Sequence, residues 1–114
     1  MNAVGACFPS HRELDTQAIL RARLYTDSRE SCMNESGDFR FARAEGAITD
    51  GHLLGELGEV LLGKLAGRVS AADITVYESL GIAIEDLASA HAIYERALSM
   101  GKGVWLDWSG EQQS

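Results

Sequence analysis

The chain has 114 residues, 17 acidic and 10 basic side chains and a formal charge of −7; 46% of residues are hydrophobic and 24% charged. That composition fits one globular domain with a modest core and excludes wholesale disorder. The acidic excess is even, −3 over residues 1–57 and −4 over residues 58–114, so no basic stripe offers itself to nucleic acid, and no apolar run approaches the roughly 20 residues that span a bilayer.

Cys7 and Cys32 are too far apart for a CxxC motif. With no secretory leader before them, a reduced, cytoplasmic protein is expected.

Residues 2–8 form a small apolar run that reads as a buried strand, ended by Pro9 and Ser10. Ser10 and Glu13 fit a capping box, predicting a helix over about 11–21. Residues 23–27 suit a second strand, after which Asp27 is expected to cap a helix through Met33. A further short helix spans about 39–47 and ends at Gly46. From Leu53 to Leu65, leucines and Val60 recur at three- and four-residue intervals, the pattern of an amphipathic helix ending at Gly67. Gly55 and Gly58 inside it each cost about 1 kcal/mol relative to alanine, which predicts close packing at both.

Residues 74–78 are the third strand candidate, and Ser79-Leu80-Gly81 turns it into the longest helix, roughly 82–100, with Ala83, Leu87, Ala90, Tyr94 and Ala97 as its apolar stripe. The segment 104–108 reads as a short strand or docking segment, and 109–114 as frayed. Strands alternating with helices imply a parallel sheet with crossovers, three strands wide and therefore incomplete for an α/β fold.

Cys7, at a strand's carboxyl end, is placed where open α/β sheets put their ligands, yet no His or Asp stands at a diagnostic spacing and a lone apolar-flanked cysteine is usually a small buried side chain. His11, His52 and His91 lack the paired spacing of a metal helix, so no metal is expected. Glu56 and Glu59 read as a solvated face rather than paired acid–base carboxylates, and Glu85-Asp86 as complements to a helix dipole. The turn Ser79-Leu80-Gly81 meets a helix N-terminus, a place for a polar or anionic ligand. Neither GxGxxG nor a Walker motif occurs.

Four blocks carry a resemblance. Asn2-Ala3-Val4-Gly5-Ala6 with Arg12-Glu13-Leu14-Asp15 is the first, and Asp27-Ser28-Arg29-Glu30 with Glu35-Ser36-Gly37-Asp38 the second. Glu56-Leu57-Gly58-Glu59-Val60 with Gly63-Lys64 follows, then residues 74–81 with residues 85–90. In this order they resemble the C-terminal third of the ornithine cyclodeaminase and mu-crystallin family, whose members are NAD(P)-dependent cyclodeaminases, amino-acid dehydrogenases and imine or ketimine reductases, typically dimers with a Rossmann domain and a substrate domain. By that resemblance Cys7 aligns with the acid–base aspartate of the cyclodeaminases, His11 with a position near the cofactor, Ser79 with a cofactor contact and Leu80 with a substrate contact. Cysteine at the first of these points away from cyclisation and toward the reductase branch.

The expectation is therefore a single incomplete Rossmann-like domain over residues 1–114: a C-terminal piece of an NAD(P)-dependent oxidoreductase that lacks the dinucleotide fingerprint and is inactive alone, with NAD or NADP as the family's cofactor and none held by this piece. The alternative is a module without catalysis whose unpaired edges self-associate or complete a partner protein.

Overall fold

Four short segments of β-favouring residues pair side by side, all parallel, in the order β1-β4-β2-β3 in the computed structural model, which describes residues 1–107. The strands are β1 (Asn2–Ala3), β2 (Ala22–Thr26), β3 (Leu53–Glu56) and β4 (Ile74–Glu78). Between them run the helices α1 (Thr16–Arg21), α2 (Arg29–Glu35), α3 (Gly37–Ala44) and α4 (Leu57–Leu61), and α5 (Ala83–Ser99) follows. The architecture is the expected α/β one with a long C-terminal helix. Trp108, the end of the expected strand or docking segment, and the tail 109–114, expected to fray, lie outside the described residues.

The chain divides into two units, Met1–Ile82 and the segment from Ala83 onward. In the first, β4 inserts between β1 and β2, with Leu24 opposite Val76 and Thr26 opposite Glu78. One sheet face carries the core: Leu24, Leu53, Val76 and Ala3 meet Ile19, Cys32, Phe39 and Ala42 from α1 to α3. On the other face the Tyr25 hydroxyl donates toward the carbonyls of Ala66 and Gly67, at 2.8 and 2.9 Å. That bond anchors the segment after α4.

Several expectations are corrected. Residues 53–56 are a strand: Leu53 and Gly55 are buried while Leu54 and Glu56 are half-buried, a period of two, and they pair with Leu24, Tyr25 and Thr26. The leucine spacing mimicked a helix because a short strand runs straight into a short helix. The sheet therefore has four strands rather than three. Gly55 is closely packed as expected, since a Cβ there would lie 2.5 Å from Leu65 Cδ2, but Gly58 faces open space.

The N-terminal strand stops at Ala3 instead of continuing to residue 8, because the amides of Val4 and Gly5 bond to the Glu13 carboxylate at 2.9 and 2.6 Å. Glu13 is thereby taken from the Ser10 capping box. Asp15 caps α1 instead, its carboxylate accepting from Ala18 N at 2.7 Å. Likewise Ser28, not Asp27, caps α2.

In the second unit, Glu85 and Asp86 occupy the first turn of α5, and the helix ends where Gly101 takes φ +60, a conformation costly for residues with a Cβ. No residue of α5 is buried, and Tyr94 meets Trp105 edge-on at 6.4 Å.

Candidate functional site

Because every strand points the same way, Val4, Asp27, Leu57 and Ser79 emerge together at one end of the sheet. Open parallel sheets place ligands at that end. Here it is lined with carboxylates whose oxygens are turned inward onto backbone amides. Asp27 Oδ2 accepts from Leu80 N at 2.7 Å and Gly81 N at 2.6 Å, while its Oδ1 accepts from Ser28 N at 2.7 Å. Glu13 Oε2 does the same for Val4 and Gly5. Gly81 takes φ +88, which leaves its N–H aimed back at Asp27 without steric cost.

Beneath this rim lies a second, buried group. Asp38, fully buried, accepts from the amides of Glu13 and Leu14 through Oδ1 at 2.7 and 3.1 Å. Glu78, 2% exposed, accepts the Ser36 hydroxyl through Oε2 at 3.2 Å. Burial pushes the Glu78 carboxyl up to about 8, and the neighbouring Asp38 charge adds to the rise. Cys32, also buried here, is pushed up to about 12, first by burial and then by the charges of Glu78 and Asp27. It is a neutral thiol, not a nucleophile.

The four residues singled out from sequence all sit in the first unit, at this end of the sheet. Cys7 is a half-buried free thiol and His11 an exposed ring, edge-on to Phe8 at 5.1 Å; both belong to the loop 4–14. Ser79 and Leu80 form the opposing turn, tied to β1 by Ser79 N donating to Ala3 O at 2.9 Å. The loop and the turn are bridged by the α2–α3 junction: Gly37 N donates to Ala6 O at 3.1 Å, and Ser36 reaches Glu78. His52 and His91 lie elsewhere, the first bonded to Ile19 O at 2.8 Å and the second exposed beside Glu95. Glu59 is exposed, as a solvated face requires, and Glu56 is half-buried; the two cap α4 reciprocally, and Glu56 Oε1 accepts from Arg29 N at 2.9 Å.

The residues that organise this end, Asp27, Ser36, Asp38 and Glu78, were present in the sequence blocks as apparent helix breaks and strand ends. The usable signal was acidic residues embedded at the ends of apolar segments, where a carboxylate stays only if donors meet it.

The same geometry tests the fit of a dinucleotide. A pyrophosphate needs free amides and no facing anions. The amides of Val4, Gly5, Leu80 and Gly81 are each taken by a carboxylate of this chain. These residues do not fit the pyrophosphate of NAD(P).

Residues 1–101 match the model of the Ornithine cyclodeaminase/mu-crystallin family. The chain is 38% identical over 109 residues to a Delta(1)-pyrroline-2-carboxylate reductase of Bacillus cereus, covering 95% of this chain and 34% of that protein. It is 42% identical over 102 residues to the ketimine reductase mu-crystallin of Mus musculus, covering 90% of this chain and 29% of that protein. The fold superposes on the Thermococcus litoralis Delta(1)-pyrroline-2-carboxylate reductase, solved with NADH and L-proline, with a TM-score of 0.80 and 40% identity over 92% of this chain and 32% of that one. The chain thus spans about a third of the length of the curated relatives it matches.

Proposed function

This chain belongs to the ornithine cyclodeaminase/mu-crystallin family, and we propose that it forms the C-terminal part of an NAD(P)-dependent reductase of that family acting on a cyclic imine or ketimine. The observation that carries the reading is the cluster at the carboxyl end of the sheet. There Asp27 accepts from the amides of Leu80 and Gly81, Ser79 N donates to Ala3 O, and the loop bearing Cys7 and His11 leaves the same end of β1. In this reading Ser79 and His11 border the cofactor, Leu80 borders the substrate, and Cys7 stands where a cyclodeaminase carries its aspartate.

The chain alone is inactive in this proposal, because it carries no dinucleotide fingerprint and the amides at this end of its sheet, already taken by its own carboxylates, cannot stand in for one. The test is NADPH-dependent reduction of a cyclic ketimine by the isolated chain, beside calorimetry with NADH and NADPH. Neither turnover nor saturable heat is expected, and turnover would overturn the proposal.

A second reading rests on the exposed apolar residues. Leu61 and Leu62 are 78% and 72% exposed, and Leu87 and Ile93 of α5 are 65% and 69% exposed. Surface of that kind favours association, so the chain would act as a module joined to a further copy or to a partner protein. Light scattering that gives a monomer at high concentration would exclude self-association.

A further inference from the structure

Two buried oxygens in the first unit lack a hydrogen-bond partner, Asp38 Oδ2 and Glu78 Oε1. An unpaired buried acceptor is costly, and native proteins rarely tolerate one. Here two occur on adjacent carboxyls, with Asp38 within side-chain hydrogen-bonding reach of Glu78. We propose that Glu78 and Asp38 share one proton in a hydrogen bond between Glu78 Oε1 and Asp38 Oδ2, and that this proton fastens the turn 78–81 to the loop 4–14.

The surrounding bonds leave that arrangement as the one that satisfies both oxygens. Ser36 Oγ accepts from Phe39 N at 3.2 Å as the cap of α3, so its single hydrogen goes to Glu78 Oε2. Asp38 Oδ1 takes the amides of Glu13 and Leu14. Each carboxyl therefore has one satisfied oxygen and one open oxygen, and a proton between the open pair satisfies both. Protonation on one side also removes one of two like charges from a site buried away from bulk solvent.

Among the described residues, the titratable groups facing Glu78 offer no competing cation. From α3 comes Asp38, from the loop Glu13, from α2 the Cys32 thiol, and from the end of β2 Asp27, which acts on Cys32. The Thr26 hydroxyl lies 3.0 Å from the Glu78 carbonyl. All are acidic or neutral, so the proton is the counter-charge. The described residues bring no group of three His, Cys, Asp or Glu side chains together for a metal ion.

The dyad has a consequence in pH. Glu78 in the folded chain binds its proton up to about pH 8, against 4.5 for the ordinary carboxyl. Its contribution to stability is whole below 4.5 and declines as pH rises toward 8, by up to about tenfold in the folding constant per pH unit. Above 8 the decline stops. The carboxylates Glu45 and Asp73 are held low and act in the opposite sense, on the acid side of this window.

The test is a carbon-13 titration of the Glu78 carboxyl in the full chain, with urea unfolding from pH 5 to 8. The expected midpoint is near 8, with the Glu13 and Leu14 amide resonances moving at the same midpoint. Asp38→Asn, which removes the shared-proton partner, lowers it, while burial of Glu78 still holds it above the ordinary range. Glu78→Gln, whose amide donates where the proton sat, keeps the fold and flattens the pH dependence. A wild-type midpoint between 4 and 5, read without any variant, overturns the proposal. So does a Glu78→Gln chain with the wild-type slope.

Discussion

Gly37 sits at the first position of α3, where its φ is not positive, so helix propensity alone says that Gly37→Ala gains up to about 1 kcal/mol. Local packing says the reverse. A Cβ there would lie 1.6 Å from the His11 carbonyl oxygen, 2.7 Å from its carbon and 3.0 Å from the Phe8 oxygen. All three are backbone atoms, so no side chain can swing aside. The loop must move until the first contact opens from 1.6 Å to at least 3.0 Å. That displacement breaks the bond from Gly37 N to Ala6 O, worth about 1 kcal/mol, and strains those from Glu13 and Leu14 to Asp38. Together with overpacking of about 1–3 kcal/mol, the net effect is a loss of roughly 3 kcal/mol, a large share of a total near 5–15 kcal/mol. Gly58 is the control: it is helical and has nothing within 4 Å, so Gly58→Ala gains up to about 1 kcal/mol. Urea denaturation followed by far-ultraviolet circular dichroism reads both. If Gly37→Ala is as stable as the parent, the loop 4–14 is not seated on α3 and the site geometry is wrong.

Asp27→Ala leaves the amides of Ser28, Leu80 and Gly81 without their carboxylate. It should cost about 2 kcal/mol in urea unfolding and raise amide exchange at residues 80 and 81; unchanged exchange there refutes the turn-holding role. The two cysteines should label differently with iodoacetamide at pH 8. Half-buried Cys7 reacts in the native chain, whereas Cys32, fully buried and pushed up to about 12, reacts only on unfolding. Mass spectrometry showing native Cys32 alkylated as fast as Cys7 contradicts the buried cluster. Gly81→Ala forces a Cβ into φ +88 and should destabilise by about 1 kcal/mol despite open space around it; a stabilised variant would contradict the turn geometry.

Element type was readable in the sequence wherever burial and periodicity agreed. β4 falls on residues 74–78 as expected, because Ile74, Thr75, Val76 and Tyr77 are all strand formers bounded by turn residues. The segment after Leu53 misled because leucine spacing carries no mark of where a strand of four residues hands over to a helix of five. The capping expectations failed for one reason. Glu13 and Asp27 each had an adjacent helix to cap, yet both reach amides far along the chain or across the sheet. Tertiary donors outcompete local ones when they come in pairs on one oxygen. Glu78 and Asp38 were invisible as a pair because they are 40 residues apart and meet only once β4 lies beside β2. The loops bearing Cys7, His11, Ser79 and Leu80 were located through the family blocks, since no spacing within the chain links residues 7–11 to residues 79–80.

The most direct measurement replaces the matching third of the Bacillus cereus reductase with this chain and assays NADPH-dependent reduction of a cyclic ketimine. With the rest of that reductase supplied, the reading predicts a folded chimera with measurable reductase activity, reduced when Asp27 is changed to Ala. A chimera that folds and binds NADPH, yet reduces no ketimine, contradicts it.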